Sequence, residues 1–191
     1  QGVTLDVDAL AQGIADAITE SDTLMSPQEM RSTLIELKRN ITAAEEKEIK
    51  LGAINKRRIA DEKLANGAAF LAGNAKKEGV ISLTSGLQYK IIKAGTGRKP
   101  TLKDEVTVHY QGTLISGREF DSSQRQGKPV VFTLESVIPG WQEALPLMRE
   151  GATWEIYIPE SLAYGRRGPL AYQSLIFKIE LLSIAETASN S

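Results

Sequence analysis

Cys and His, two residue types often used for covalent and metal chemistry, are almost absent from this sequence. There is no Cys, which excludes thiolate nucleophiles, disulfides and Cys-based metal sites. The single His, His109, alternates with Tyr110 in a predicted strand and therefore points to the opposite face of the sheet. A Ser-His-Asp arrangement with Ser122 or Ser123 as nucleophile is a weak alternative, because neither serine lies in a nucleophile-elbow motif. Neither a metal site nor a cofactor is expected.

The charge of the chain is almost balanced and excludes some classes of partner. Over 191 residues, 23 Lys and Arg stand against 24 Asp and Glu, which gives a formal net charge of -1. That balance supplies no global field to attract nucleic acid, and no apolar run approaches the ~20 residues of a transmembrane helix. Neither nucleic-acid binding nor a membrane span is expected.

The first part of the sequence is predicted to be helical. Proline is absent between residues 28 and 99 and frequent afterwards, which indicates helix first and sheet later. Asp8 is the predicted N-cap of a short amphipathic helix. Ser26, Pro27 and Glu29 form a capping box that starts a second helix, and this helix is expected to reach about Lys77 as a stalk of about 75 Å.

From residue 79 onward the hydrophobic period changes to two, as in Val106, Val108 and Tyr110, which predicts half-buried strands. Further strands are predicted at residues 87–93, 130–134, 153–158 and 175–182, with a hairpin turn at Ser116 and Gly117. A single short helix is predicted over residues 141–148. The fold class is therefore α+β: N-terminal helices, then a twisted antiparallel sheet wrapped around a short α-helix. The predicted divisions are a helical stalk (1–78), a sheet domain (79–185) and a disordered tail (186–191).

Four short motifs, in matching order and spacing, resemble the FKBP-type peptidyl-prolyl cis-trans isomerases. They are residues 108–112 (VHYQG), 120–123 (FDSS), 137–141 (VIPGW) and 163–165 (AYG). Upstream, residues 8–10 (DAL), the long helix and residues 85–89 (SGLQY) are similar to the macrophage infectivity potentiator branch of that family. The resemblance implies that the sheet domain is an FKBP-type isomerase domain.

The resemblance also implies which residues form the site. Tyr110, Asp121 and Tyr164 are expected to be catalytic, in a reaction that rotates X-Pro bonds without covalent or metal chemistry. Trp141 would be the floor of a prolyl pocket, and the Ile138 N–H and the Tyr164 hydroxyl would bind ligand carbonyls. The residues expected to bind substrate or inhibitor are Phe120, Val130, Phe132, Val137, Ile138, Trp141 and Phe177.

The same resemblance implies the partners. Proline-containing polypeptide clients and macrolide inhibitors like rapamycin are expected to occupy the pocket, and a bacterial periplasmic, envelope or secreted location is expected, with the cytoplasm as the alternative. A homodimer is expected through the N-terminal helices, because Met30, Leu34 and Leu37 need a partner surface. The alternative function is a proline-binding chaperone module with little or no turnover.

The sequence departs from the family pattern at three places. The loop at residues 166–174 is shorter than usual and lacks the Ile residues over the pocket, so Pro169, Leu170 or Tyr172 is expected to replace them. Val130 and Gln126 stand where many relatives carry Phe and Arg. The chain begins with Gln1 rather than Met, where relatives end an earlier helix. We therefore expect an upstream segment to have been removed, and a dimer weaker than theirs.

Overall fold

The computed structural model describes residues 26–185 of the chain. The helix predicted at Asp8 and the predicted disordered tail lie outside these residues. The chain forms two compact units, Gln1–Asn55 and Lys56–Ser191. No helix within the described range is long and apolar enough to cross a membrane.

The described residues form two α-helices and seven strands. The helices are α1 (Pro27–Asn74) and α2 (Pro139–Ala144). The strands are β1 (Val80–Ser82), β2 (Gln88–Lys93), β3 (Glu105–Leu114), β4 (Glu119–Ser122), β5 (Val130–Thr133), β6 (Thr153–Ile158) and β7 (Leu175–Ala185).

Helix α1 begins at the predicted capping box. The Glu29 N–H donates to Ser26 Oγ at 3.3 Å, and the Ser26 N–H donates to Glu29 Oε2 at 2.8 Å. The Ser26 hydroxyl also donates to Glu29 Oε2, at 2.7 Å, and this bond, followed by the one from the Ser26 N–H, lowers the pKa of the Glu29 carboxyl. The predicted start of the helix is confirmed, whereas its end is Asn74 rather than Lys77.

The strands form one antiparallel sheet in the order β1-β2-β6-β7-β3-β4, and β5 also pairs with β3. Strand β3 pairs with β7 along its whole length, from Glu105 to Leu114. Along its other edge it pairs with β5 near its start and with β4 near its end. The α+β fold class predicted from the sequence is therefore confirmed. The short strands β1 and β4 were not predicted.

The buried face of β3 forms the centre of the hydrophobic core. Val106, Val108 and Tyr110 are buried along this strand, and His109 alternates with them on the other face. Helix α2 covers the buried face and contributes Trp141 to the same core cluster. A 3-10 turn, Leu145–Leu147, follows α2, so the predicted helix at residues 141–148 is shorter and begins earlier.

The last turns of α1 pack against the sheet within the second unit. A Cβ at Gly67 would collide with Ser174 Oγ, so glycine permits the close approach of the helix to this segment. The Phe70 ring lies 6.0 Å from the Tyr157 ring, measured between centroids. Glycine weakens a helix relative to alanine, whereas at Gly67 it lets the helix pack closely.

A buried polar pair fixes the end of α1. Asn74 is only 1% exposed, and its Nδ2 donates to Gln88 Oε1 at 3.0 Å. Gln88 in turn donates from Nε2 to the Leu71 carbonyl oxygen at 2.9 Å. Burial, with the hydrogen bond to Glu155, raises the pKa of the Tyr157 hydroxyl to about 12. The contacts with Gln88 join α1 to strand β2, and the Phe70 to Tyr157 contact joins it to β6.

Candidate active site

The β3-β4 hairpin brings Tyr110 and Asp121 together. Gly117 at the predicted turn has a φ of 84°, and the Leu114 N–H donates to the Arg118 carbonyl oxygen at 2.9 Å. In the hairpin, Gly112 pairs with Asp121. The Tyr110 hydroxyl donates to Asp121 Oδ2 at 2.7 Å. Two residues from separate motifs thus form one hydrogen-bonded pair.

Trp141 lies edge-on to three other aromatic rings. Its ring centroid is 5.4 Å from that of Tyr110, 5.5 Å from that of Phe132 and 5.2 Å from that of Phe177. The interplanar angles are 81°, 84° and 85°, the edge-to-face arrangement that aromatic quadrupoles favour. Trp141 is only 4% exposed, and its Nε1–H has no acceptor among residues 26–185. It therefore forms the base of an aromatic cluster.

This cluster borders an open cavity of about 290 Å³, here called the aromatic cavity. Most residues expected from the resemblance line it, whereas Phe120 and Val130 do not. Phe120 supports the lining indirectly, because its ring packs edge-on against Phe177 at 5.6 Å. Val130 pairs with Val108 between β5 and β3. The lining residues are Tyr110, Asp121, Phe132, Ser136, Val137, Ile138, Trp141, Tyr164 and Phe177.

Gly112 allows the Phe120 and Phe177 rings to meet. A Cβ at this position would lie 2.7 Å from Phe120 Cζ and 2.8 Å from Phe177 Cε1. Any larger residue would push the rings apart and displace Phe177 from the cavity wall. This contact explains in physical terms why the first motif contains a glycine two residues after Tyr110.

Both tyrosine hydroxyls of the site are held in their protonated form. Burial, followed by the hydrogen bond to Asp121, raises the pKa of Tyr110 far above its ordinary value. Burial and then the charge of Asp121 also raise the pKa of Tyr164. The Tyr164 side chain is still 45% exposed and meets no acceptor for its hydroxyl in the described part of the chain. The Tyr164 hydroxyl is therefore available to donate to a ligand.

The segment that carries Ile138 is fixed by hydrogen bonds at both ends. The Ile138 carbonyl oxygen accepts from the Trp141 N–H at 2.9 Å, and Gln142 Nε2 donates to the Val137 carbonyl oxygen at 2.8 Å. Ser136 also lines the cavity and was missed, although it directly precedes the 137–141 motif. Its Oγ donates to the Thr133 carbonyl oxygen at 2.7 Å.

The loop at residues 166–174 does not replace the missing pocket residues in the way that the sequence indicated. Neither Pro169, Leu170 nor Tyr172 is among the residues that line the aromatic cavity. Leu170 instead packs half-buried against the hydrophobic core. The expectation that one of these side chains covers the pocket is therefore wrong for this structure.

His109 and Ser123 are in contact, but they do not form a catalytic triad. His109 Nδ1 lies 3.0 Å from Ser123 Oγ. Ser123 is completely buried, and its Oγ accepts from the Tyr110 N–H at 3.0 Å. Asp121 bonds the Tyr110 hydroxyl instead of His109. The hydroxyl of Ser123 thus has the structural task of fixing β3 beside the turn after β4.

Comparisons with known proteins agree with this arrangement. Residues 96–182 match the FKBP-type peptidyl-prolyl cis-trans isomerase family, and residues 1–91 match the domain amino-terminal to that isomerase. The chain is 44% identical over 192 residues to the outer membrane protein MIP of Legionella longbeachae, covering 98% of this chain and 79% of that protein. It is 42% identical over 186 residues to the peptidyl-prolyl cis-trans isomerase Mip of Coxiella burnetii, covering 95% and 78%.

A solved structure extends the similarity to the fold. The crystal structure of FkpA from Escherichia coli aligns with a TM-score of 0.66 at 34% identity and covers 97% of this chain and 84% of that one. Relatives and structure therefore agree over nearly the whole length of the sequence. The chain belongs to the FKBP-type peptidyl-prolyl cis-trans isomerases, in the branch of the Mip and FkpA proteins.

Proposed function

We propose that the aromatic cavity is where this peptidyl-prolyl cis-trans isomerase rotates X-Pro bonds during protein folding, with Tyr110, Asp121 and Tyr164 as its catalytic residues. The observation that carries the proposal is the Tyr110 to Asp121 hydrogen bond of 2.7 Å in an otherwise aromatic lining. The alternative from the sequence, a proline-binding module with little turnover, is not favoured, because the relatives are named as isomerases.

The chemistry of the reaction suits such a cavity. An X-Pro bond rotates over a barrier of about 18–20 kcal/mol that arises from amide resonance. As the bond twists, this resonance and its charge separation are lost, so surroundings with little water favour the twisted form over the planar one. An enzyme accelerates the rotation by binding the twisted form more tightly than either planar form. Neither a nucleophile nor a metal is needed.

The residues of the cavity have separate tasks in this proposal. The edges of Phe132, Trp141 and Phe177 match the flat pyrrolidine ring by shape. The Ile138 N–H and the Tyr164 hydroxyl donate to carbonyls on either side of the ring and orient the peptide. Tyr110 holds the Asp121 carboxylate at the wall, where its charge acts on the carbonyl dipole of the twisting bond.

Substitution of the hydrogen-bonded pair tests these roles. Tyr110→Phe and Asp121→Leu are each expected to lower kcat/KM on a short apolar-Pro peptide by about tenfold, the effect of losing one hydrogen bond of ~1.4 kcal/mol. Stability should change little, because Asp121 is exposed and water can replace the lost partner. Turnover is measured by a protease-coupled assay and stability by urea denaturation.

Tyr89→Phe is the matched control, since it removes a tyrosine hydroxyl outside the aromatic cavity, from a ring stacked on Trp154. It should retain wild-type turnover. If Tyr110→Phe and Asp121→Leu remained folded and were as active as Tyr89→Phe, the pair would have no catalytic role.

Proline-containing client chains and macrolides like rapamycin are the proposed occupants of the aromatic cavity. The periplasm or cell envelope is the proposed location, supported by the name of the Legionella relative as an outer membrane protein. The cytoplasm is the less favoured alternative. We further propose that residues 1–78 form a dimerisation and stalk region beside the isomerase domain at residues 79–185.

Exposed apolar side chains on α1 support the proposed homodimer. Leu34 is 54% exposed and Ile35 is 69% exposed within the first unit, as are other large apolar residues of this helix. Such a surface is usually covered by a partner, and a second copy is the partner that a symmetric oligomer supplies. The match of residues 1–91 to the domain amino-terminal to the isomerase also supports assembly through this region.

Sedimentation velocity over a concentration series tests the dimer. The sedimentation coefficient is expected to rise to that of a dimer by high micromolar concentration, and Leu34→Glu with Ile35→Glu should shift the transition to higher concentration. Ile81→Glu changes an exposed apolar residue of the second unit and should have no effect. A species that stays monomeric at high micromolar concentration would refute the dimer.

A further inference from the structure

A second and larger cavity lies within the unit that holds the aromatic cavity. It measures about 670 Å³ and opens between residues 56–64 of α1 and the loop at residues 166–172. We name it the helix-loop groove. Lys63 Nζ connects the two sides of the groove by donating to the Ala171 carbonyl oxygen at 3.4 Å. None of the residues assigned to the aromatic cavity lines it.

The shape of the loop is fixed at Tyr172. This residue has a φ of 63°, the left-handed region that non-glycine residues seldom adopt. Its N–H donates to the Gly165 carbonyl oxygen at 2.7 Å, which closes the loop on itself. Tyr172 lines the helix-loop groove instead of the aromatic cavity. The loop thus contributes to a different surface from the one that the sequence indicated.

Positive charge is concentrated along the groove. Lys56, Lys63 and Arg166 line it, and none of them pairs with a carboxylate within residues 26–185. Arg57 and Asp61 also line it and lie 4.0 Å apart as an ion pair. The local excess of cations stands out, because the whole chain has a formal charge of -1. The groove is therefore electrostatically complementary to an acidic ligand.

Apolar surface accompanies these charges. Ile59 is 41% exposed on the helix side, and Leu64 and Tyr172 are half-buried in the lining. An inorganic anion or a uniformly charged surface would leave these side chains uncovered. A peptide with both acidic and apolar residues matches the lining better.

The groove and the aromatic cavity are joined by a very short stretch of chain. Tyr164 lines the aromatic cavity and Arg166 lines the groove, so the two Cα atoms lie at most about 7 Å apart. An extended peptide advances about 3.3 Å per residue, so a bound chain reaches the groove within roughly five residues of its proline. This distance is short enough for one extended ligand to span both places.

We propose that the helix-loop groove binds an acidic segment of the same client polypeptide whose proline occupies the aromatic cavity. This inference rests on the proposed function and adds a preference among its clients. Proline-containing segments that are acidic and apolar a few residues from the proline would be favoured over basic ones.

Peptides that differ only beyond the proline core test this preference. One peptide is the unextended core, Ala-Leu-Pro-Phe. Each of the others carries a four-residue extension, either Glu-Glu-Leu-Glu or Lys-Lys-Leu-Lys, on the amino side or the carboxyl side of this core. Isomerisation of each is followed with the full chain by exchange NMR. For at least one side, the acidic peptide should have a kcat/KM about three- to tenfold above the basic one, as expected for two exposed ion pairs. The ratio should approach one at high salt.

Charge reversal identifies the surface. Lys56→Glu with Arg166→Glu is expected to reduce the acidic-to-basic ratio to one or below, whereas Lys76→Glu with Lys93→Glu makes the same change in net charge away from both cavities and should keep the wild-type ratio. Urea denaturation confirms that both variants fold. In addition, a proline-free Glu-Glu-Leu-Glu peptide should shift the amide resonances of residues 56–64 and 166–172 in the wild type.

The outcomes separate this inference from the proposed function. If the unextended core is not isomerised, the proposed function fails, whatever the extensions do. If the core is isomerised but acidic and basic extensions give equal kcat/KM on both sides, the groove does not bind the client. The inference would also be overturned if the groove variant and the control variant gave equal acidic-to-basic ratios. The same holds if the proline-free acidic peptide shifted only resonances outside residues 56–64 and 166–172.

Discussion

Trp141→Ala is expected to lower the free energy of unfolding by about 3–5 kcal/mol, the range for removing a buried aromatic ring from a core. Trp141 is almost fully buried and contacts the Tyr110, Phe132 and Phe177 rings edge-on. Its removal takes away the floor of the aromatic cavity as well as core packing. Isomerase turnover should therefore fall close to background even under conditions where the variant remains folded. Urea denaturation and a protease-coupled assay measure the two effects.

Tyr164→Ala is the comparison that separates packing from catalysis. Tyr164 is 45% exposed and has few core contacts to lose, so its removal should cost about 1 kcal/mol of stability or less. Turnover should nevertheless fall, because the variant lacks the donor at the cavity wall. A loss of less than ~1 kcal/mol for Trp141→Ala would mean that the floor is not part of the core.

Removal of residues 1–78 is expected to destabilise the isomerase domain by about 2–4 kcal/mol relative to removal of residues 1–55 only. The shorter chain loses the buried Asn74 to Gln88 hydrogen bond, the Gln88 to Leu71 hydrogen bond and the Phe70 to Tyr157 contact. Buried hydrogen bonds contribute about 0.5–1.5 kcal/mol each, and an aromatic pair a similar amount. The domain starting at Gly79 should still fold, at a lower urea midpoint.

Both shortened chains should retain wild-type kcat/KM on a short unextended peptide, because every residue of the aromatic cavity lies beyond residue 109. Any difference should appear only with large clients, whose refolding the first unit would assist. Equal urea midpoints for the two chains would show that the last turns of α1 add no stability to the sheet. Loss of short-peptide turnover in both would contradict the assignment of the site.

Elements with a local signal in the sequence could be predicted closely. The capping box at Ser26 fixed the start of α1, and the predicted strand at residues 153–158 is β6 as observed. The hairpin turn at Gly117 was predicted from its glycine, and alternation placed His109 and Tyr110 on opposite faces of β3. In each case the signal lies within a few residues of the element that it specifies.

Features that depend on distant contacts could not be predicted. Strand β1 is only three residues long, so its alternation of apolar and polar residues is too short to predict a strand. It forms because it pairs with β2. Gly67 resembles a weak point in a helix until Ser174 is found against it. Tyr172 lines the helix-loop groove because the loop closes on itself with this residue in the left-handed conformation. The spacing of residues in the sequence does not reveal that closure. Most residues that the resemblance implied for the pocket line the aromatic cavity, whereas Phe120 and Val130 support the fold around it.

The most direct test of whether the aromatic cavity performs the isomerisation is the rotation rate of an apolar-Pro bond in a short peptide. This rate is measured by exchange NMR with and without the protein. Uncatalysed exchange takes tens to hundreds of seconds, and catalytic amounts of the protein should accelerate it by at least about tenfold. One equivalent of a rapamycin-like macrolide should abolish the acceleration and shift the resonances of Tyr110, Ile138 and Trp141. Exchange no faster than in the absence of protein, or acceleration that survives a saturating macrolide, would contradict it.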